Sequence, residues 1–177
     1  GYTFAGWAKS ASGSIEYLNS ASVKNLSSKS GGIVTLYAKW TPITYTIKFD
    51  GNGSTGGSTT SVTCTYDSSC TLTKNGFTKT GYTFAGWNTL STGKGTSYNN
   101  SASVKNLSSK SGDTVTLYAK WTANTYTIKF DGNGSTSGST DSKTCTYDKD
   151  CALPSNGFKK TGYTFAGWNT LSTGKGT

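Results

Sequence analysis

The sequence predicts an α+β fold, mostly β, built as small modules in tandem, each a hairpin, a strand, a short helix and a closing strand. Three observations carry this prediction. First, whole strings recur: GYTFAGW starts at Gly1, Gly81 and Gly162, TYTIKFDGNGST at Thr44 and Thr125, and LYAKW at Leu36 and Leu117. The last two pairs are each 81 residues apart (125 − 44; 117 − 36), and repetition at a fixed period is the signature of an array. Second, apolar and polar residues alternate in most of the recurring strings, the period of a half-buried strand. Third, only 32% of the chain is hydrophobic while 13% is aromatic, so each module must build its core from Tyr, Phe and Trp.

The elements follow in order along the complete repeat. Tyr45, Ile47 and Phe49 alternate with Thr46 and Lys48, a strand with one apolar face. Asp50-Gly51-Asn52-Gly53 holds two turn dipeptides and favours a tight turn with positive φ. Ser61 to Tyr66 is β-prone and is expected to pair back as a hairpin. Tyr82 to Trp87 is the third strand. Strict alternation would put Phe84 and Trp87 on opposite faces, and a bulge at Ala85-Gly86 would return Trp87 to the core side. Ser101 to Ser108 offers an N-cap and one i,i+3 apolar pair, Val104 and Leu107, and reads as a short helix. Val115, Leu117, Ala119 and Trp121 form one face of a closing strand. A small mixed sheet with one helix on its face fits this order.

The repeat boundary falls just after Trp40 and Trp121, where the links Thr41-Pro42-Ile43 and Thr122-Ala123-Asn124 are too short for free bending. Residues 1–41 are then the C-terminal half of a repeat, 42–121 a complete repeat and 122–177 the N-terminal part of a further one. The first half-repeat's loop from Ala8 to Glu16 is one residue shorter than Asn88 to Ser97, which marks an exposed loop. Both ends fall inside a repeat, so the sequence reads as a fragment of a longer chain. It contains no 18-residue apolar run that could span a membrane as a helix.

Cys64 and Cys70 flank a Tyr66-Asp67 turn, and Cys145 and Cys151 flank Tyr147-Asp148 with the same spacing. Local disulfides, free core thiols and a zinc site are the three readings. Local pairing, Cys64–Cys70 and Cys145–Cys151, is favoured because a tight turn brings the flanks together, whereas zinc would need both pairs, one repeat apart, with no His to help. Paired cysteines place the protein outside a reducing cytosol.

Other chemistry finds little material. The Asp50 turn lacks the Gly and Glu that a calcium loop needs at its sixth and twelfth positions, where Thr55 and Ser61 stand. Gly93-Lys94-Gly95-Thr96 lacks the glycine spacing of a phosphate loop. With no His and eight carboxylates, no catalytic residues, metal ligands or cofactor are assigned. The net charge of +9 comes with 17 basic residues, all Lys, and without Arg the chain is a poor sequence-specific reader of nucleic acid; no nucleic-acid partner is expected. Tyr37 and Tyr118 lie on the outward phase of the closing strand beside Lys39 and Lys120, and these four are the candidate ligand contacts, for sugars or acidic glycans.

FDGNG, the Tyr-centred turn, GYTFAGW and VTLYAKW together resemble the Listeria–Bacteroides repeat family, also known from the B repeat of internalins. The resemblance covers nearly the whole chain; family members usually lack the Cys pair, which marks this chain as a variant. It implies a β-grasp-like module in tandem on extracellular, bacterial cell-surface proteins. The expected function is a non-catalytic stalk that projects another domain, its partners the neighbouring repeats of the same chain. The alternatives are a multivalent module that binds host or matrix glycans, and a subunit of an extracellular fibre.

Overall fold

The computed structural model describes residues 1–177. The fold is all-β; it contains no helix. The opening half-repeat gives β1 (Tyr2–Ala8) and β2 (Tyr37–Pro42). The complete repeat gives β3 (Thr44–Asp50), β4 (Gly56–Gly57), β5 (Val62–Thr65), β6 (Cys70–Thr71), β7 (Phe77–Thr78) and β8 (Tyr82–Asn88). It continues with β9 (Ser97–Tyr98), β10 (Ser103–Val104) and β11 (Thr114–Ala123). The last part gives β12 (Thr125–Ile128), β13 (Ser137–Gly138), β14 (Lys143–Thr146) and β15 (Phe158–Lys159).

The chain forms two compact units, residues 1–79 with 84–121, and residues 80–83 with 122–177. The first unit holds a five-stranded sheet of order β5-β3-β11-β8-β9. Its centre is a parallel pair, β3 with β11, in the register Ile47↔Val115 and Phe49↔Leu117. Parallel pairing requires a long crossover, and the chain between β3 and β11 supplies every other strand of the repeat. β5 pairs antiparallel with β3, Tyr45 opposite Cys64. β1 and β2 form a separate antiparallel pair in the same unit. In the second unit β12 pairs with β14 and β13 with β15, as β3 pairs with β5 and β4 with β7.

The core of the complete repeat is Tyr45, Ile47, Cys64, Cys70, Leu72, Trp87, Val104, Leu117 and Ala119, with Phe49, Phe77, Phe84 and Trp121 packed around it. Phe84 and Trp87 share a face. Gly86 takes φ +122°, and the two rings meet edge-on with centroids 4.9 Å apart. In β1 the register breaks at the equivalent place, between Phe4 and Gly6.

The expected helix over 101–108, and with it the α+β class and the β-grasp-like arrangement that sets a helix across the sheet, are corrected by the structure. Ser101 and Asn106 both take positive φ, 56° and 57°, which no α-helix accommodates. Their counterparts Ser20 and Asn25 do the same, each at 58°. Between Ser101 and Asn106, Ser103 and Val104 run extended and pair with Thr71 and Cys70. The physical reason is cooperativity: one i,i+3 apolar pair in eight residues cannot offset helix nucleation. Val104 and Leu107 reach the core from extended backbone instead.

The turn at Asp50–Gly53 does form: Asn52 and Gly53 take φ 46° and 79°, and the Asn52 N–H donates to Asp50 Oδ1 at 2.7 Å. It does not close a simple hairpin, because β4 lies between it and β5 and pairs with β7.

Candidate functional surfaces

Three places could carry function: the tyrosine–lysine strip, the loop after the GYTFAGW strand, and the Cys loops. Tyr118 and Lys120 lie on one face of β11, opposite buried Leu117 and Ala119, and both are half-buried. Lys120 Nζ donates to Ser97 Oγ at 3.2 Å. In the half-repeat Tyr37 is exposed, while Lys39 Nζ donates to the Ala11 carbonyl at 3.0 Å. The strip therefore exists as a face, but both lysines also hold the loop of their own repeat.

That loop is organised by a residue that sequence reasoning passed over. Asn88 is the buried polar side chain of the core. Its Oδ1 accepts from the Leu90 and Gly95 N–H groups, and its Nδ2 donates to the Gly95 carbonyl and Ser97 Oγ. All its hydrogen-bonding capacity is used locally, so it is a structural hub. Asn169 accepts from Leu171 and Gly176 in the same way. The half-repeat has Ala8 at this position, and its shorter loop is held instead by Lys9 and Glu16, paired at 2.9 Å. The Lys9 ammonium holds the Glu16 carboxyl below its ordinary range.

In the Cys loops, Cys64 bonds Cys70 and Cys145 bonds Cys151, with Cα atoms 5.6 and 5.7 Å apart. All four sulfurs are consumed, so none can serve as a thiolate ligand. The loop tip is a turn closed by the Ser68 N–H to the Thr65 carbonyl, with Asp67 at φ 61°; Asp148 takes φ 54° in the other loop. Replacing both Cys64 and Cys70 by Ala should cost about 2.4 kcal/mol by the chain-entropy relation for a seven-residue loop. Guanidinium melts of the variant beside the wild type test this, and a midpoint shift near zero would mean the turn closes unaided.

The tips also meet the starts of GYTFAGW strands. In the first unit Tyr2 Oη donates to Asp67 Oδ2 at 2.7 Å, and the Tyr2 and Tyr66 rings pack edge-on at 5.7 Å and 75°. The Ile43 N–H donates to the Gly1 carbonyl, and the Tyr66 N–H to the Ile43 carbonyl. Asp67 also receives its own repeat's Asn106, through Nδ2 at 2.8 Å, and has Lys105 Nζ at 3.6 Å. The Asn106 amide first, then the Tyr2 phenol, hold the Asp67 carboxyl below its ordinary range; the carboxylate in turn pushes the Tyr2 phenol up.

In the second unit the same contacts recur. Tyr82 Oη donates to Asp148 Oδ2 at 3.0 Å, and the Tyr82 and Tyr147 rings meet at 5.8 Å and 76°. The Asn124 N–H donates to the Gly81 carbonyl, and the Tyr147 N–H to the Asn124 carbonyl. The signal for this in the sequence was the constant Tyr-Asp inside both Cys loops, which loop closure by the cysteines alone does not require.

An open groove of about 1120 Å³ in the second unit is lined by Ile128, Phe130, Leu153, Phe158, Phe165 and Trp168, among others. Subtracting 81 from each gives Ile47, Phe49, Leu72, Phe77, Phe84 and Trp87, all in or against the core of the complete repeat. The apolar lining of the groove is thus the counterpart of a core surface.

These features define a tandem array of small, disulfide-stapled all-β repeats. The chain belongs to the Listeria-Bacteroides repeat domain family, whose model matches residues 1–39, 45–120 and 126–177. A protein of Evansella cellulosilytica provisionally named a Gly-rich membrane protein is 35% identical over 137 residues, covering 76% of this chain and 15% of the relative. A second from the same organism, provisionally named a membrane protein, is 31% identical over 181 residues, covering 99% of this chain and 24% of the relative. The chain thus spans about a quarter or less of the length of these relatives. No solved structure matches it. No helix of the chain is long and apolar enough to cross a membrane.

Proposed function

We propose that these repeats are a non-catalytic spacer in an extracellular bacterial surface protein, holding another domain away from the cell. The observation that carries this reading is the same set of contacts at Gly1–Tyr2 and at Gly81–Tyr82, where the start of each GYTFAGW strand meets the Cys loop of the following repeat. A module that docks on its neighbour in the same way each time builds length by copying. The disulfides fit an oxidising compartment, and the relatives' names fit a membrane-associated setting.

Deleting one 81-residue period from the whole protein should shorten the distance from anchor to tip and leave any activity of a terminal domain intact. Electron microscopy of the full-length protein and an assay of that domain measure both. Loss of the activity along with the repeat would overturn the spacer.

The adhesive reading rests on the common face of Tyr118 and Lys120. It requires salt-sensitive glycan binding that Tyr118→Ala with Lys120→Ala abolishes without unfolding the repeat. The lysines' engagement with Ser97 and Ala11 argues for the spacer.

A further inference from the structure

The tyrosine that opens GYTFAGW serves a different repeat from the one that carries it. Tyr2 and Tyr82 each set a ring edge-on against the tyrosine of the following repeat's Cys loop, and each donates its phenol to the aspartate beside it. We propose that the Gly-Tyr start and the Tyr-Asp tip are the two halves of a joint by which one repeat recognises the next. The third start, Gly162–Tyr163, is then an open half whose partner is the Tyr-Asp tip of a further copy of this repeat.

The halves are complementary in shape and in hydrogen bonding. A Cβ on Gly1 would overlap the Tyr66 ring, and one on Gly81 the Tyr147 ring, so glycine is what lets the ring lie down at this point. Positive φ at Asp67 and Asp148 turns the tip, and the disulfide closes the loop that presents it. A preorganised tip docks with little ordering cost. The phenol-to-carboxylate bond belongs to the stronger, charge-assisted class.

The third start shows the same strand with no tip against it. Nothing lies within 4 Å of a Cβ built on Gly162, and Tyr163 is 72% exposed. Yet Trp168, five residues on, already packs against Phe130, Phe158 and Phe165 as Trp87 packs against Phe49, Phe77 and Phe84. A GYTFAGW strand can thus seat its tryptophan without covering its tyrosine. The joint holds under the spacer and the adhesive readings alike; only its consequence for reach rests on the spacer.

Amide hydrogen exchange of the full chain tests the proposal. Tyr82→Ala should speed exchange at Asn124 and Tyr147 by about tenfold or more, the loss of one charge-assisted hydrogen bond and one aromatic contact. The Leu72 amide, bonded to the Ala102 carbonyl in the complete repeat's own core, should be unchanged. Unchanged rates at Asn124 and Tyr147, or equal acceleration at Leu72, would overturn the joint.

Tyr163→Ala should be silent in this chain. In a chain lengthened after Thr177 by a copy of residues 97–177, it should speed exchange of the copied Tyr147 amide by the same factor. Acceleration in the present chain, or silence in the longer one, would overturn the assignment of Gly162–Tyr163 as an open half. Neither result depends on the repeat-deletion experiment, so the joint and the spacer can fail separately.

Discussion

Replacing Trp87 by alanine should lower the stability of the complete repeat by about 3–5 kcal/mol, the usual cost of emptying a buried large aromatic site. Trp87 is fully buried, with the Phe49 ring at 4.6 Å, Phe84 at 4.9 Å and Phe77 at 6.4 Å. These rings come from β3, β8 and β7, so the indole joins the long sheet to the β4–β7 pair. Its Nε1 is buried without a hydrogen-bond partner. Trp87→Phe, which removes that unpaired donor and keeps much of the apolar area, should therefore cost far less than Trp87→Ala. Guanidinium and thermal melts monitored by far-UV circular dichroism measure both. Trp7→Ala and Trp168→Ala supply a comparison, because those copies are only half-buried and should lose less. A wild-type midpoint for Trp87→Ala would mean that the core is anchored elsewhere.

Gly86→Ala should be comparably severe, at about 2–6 kcal/mol from a strained backbone and a displaced neighbour together. At φ +122° the backbone is one that L side chains rarely adopt, and a Cβ there would stand 2.7 Å from the Tyr98 carbonyl oxygen. Tyr98 pairs with Trp87 across β8 and β9, so relieving the clash means opening the edge of the sheet beside the core tryptophan. Gly112→Ala is a reference for a left-handed glycine with open space around it. Gly112 has φ +69° and nothing within 4 Å of a built Cβ, so it should show only the cost of the left-handed backbone, about 1–2 kcal/mol. Equal losses at the two glycines would show that contact with Tyr98 contributes nothing.

Much of the candidate joint was visible in the sequence without being interpretable there. Tyr66-Asp67 and Tyr147-Asp148 recur inside the Cys loops, and Gly-Tyr recurs at three strand starts. Nothing in a linear pattern says that one meets the other, since Tyr2 and Asp67 are 65 residues apart and in different repeats. Asn88 was hidden for a related reason. A lone Asn at a strand end reads as a loop residue, and only the folded loop reveals four hydrogen bonds converging on it. The Tyr118–Lys120 face was legible from alternation alone, but the engagement of Lys120 with Ser97 was not.

By itself, the sequence determined the tandem period, the family, the positions of the long strands and the glycine kink that puts Phe84 and Trp87 on one side. These are local properties, set by alternation, turn chemistry and the absence of a Cβ at Gly86. Tertiary structure decided the rest. It drew Ser103–Val104 into a strand beside Cys70, where eight residues with one apolar pair had suggested a helix. It also gave one motif two fates. The tryptophan of GYTFAGW is fully buried at Trp87 and half-buried at Trp7 and Trp168. Only Trp87 has both the Phe49–Phe77 side from its own repeat's start and the closing strand with Leu117. Burial belongs to the partners that long-range pairing delivers, and a string of seven residues does not contain them.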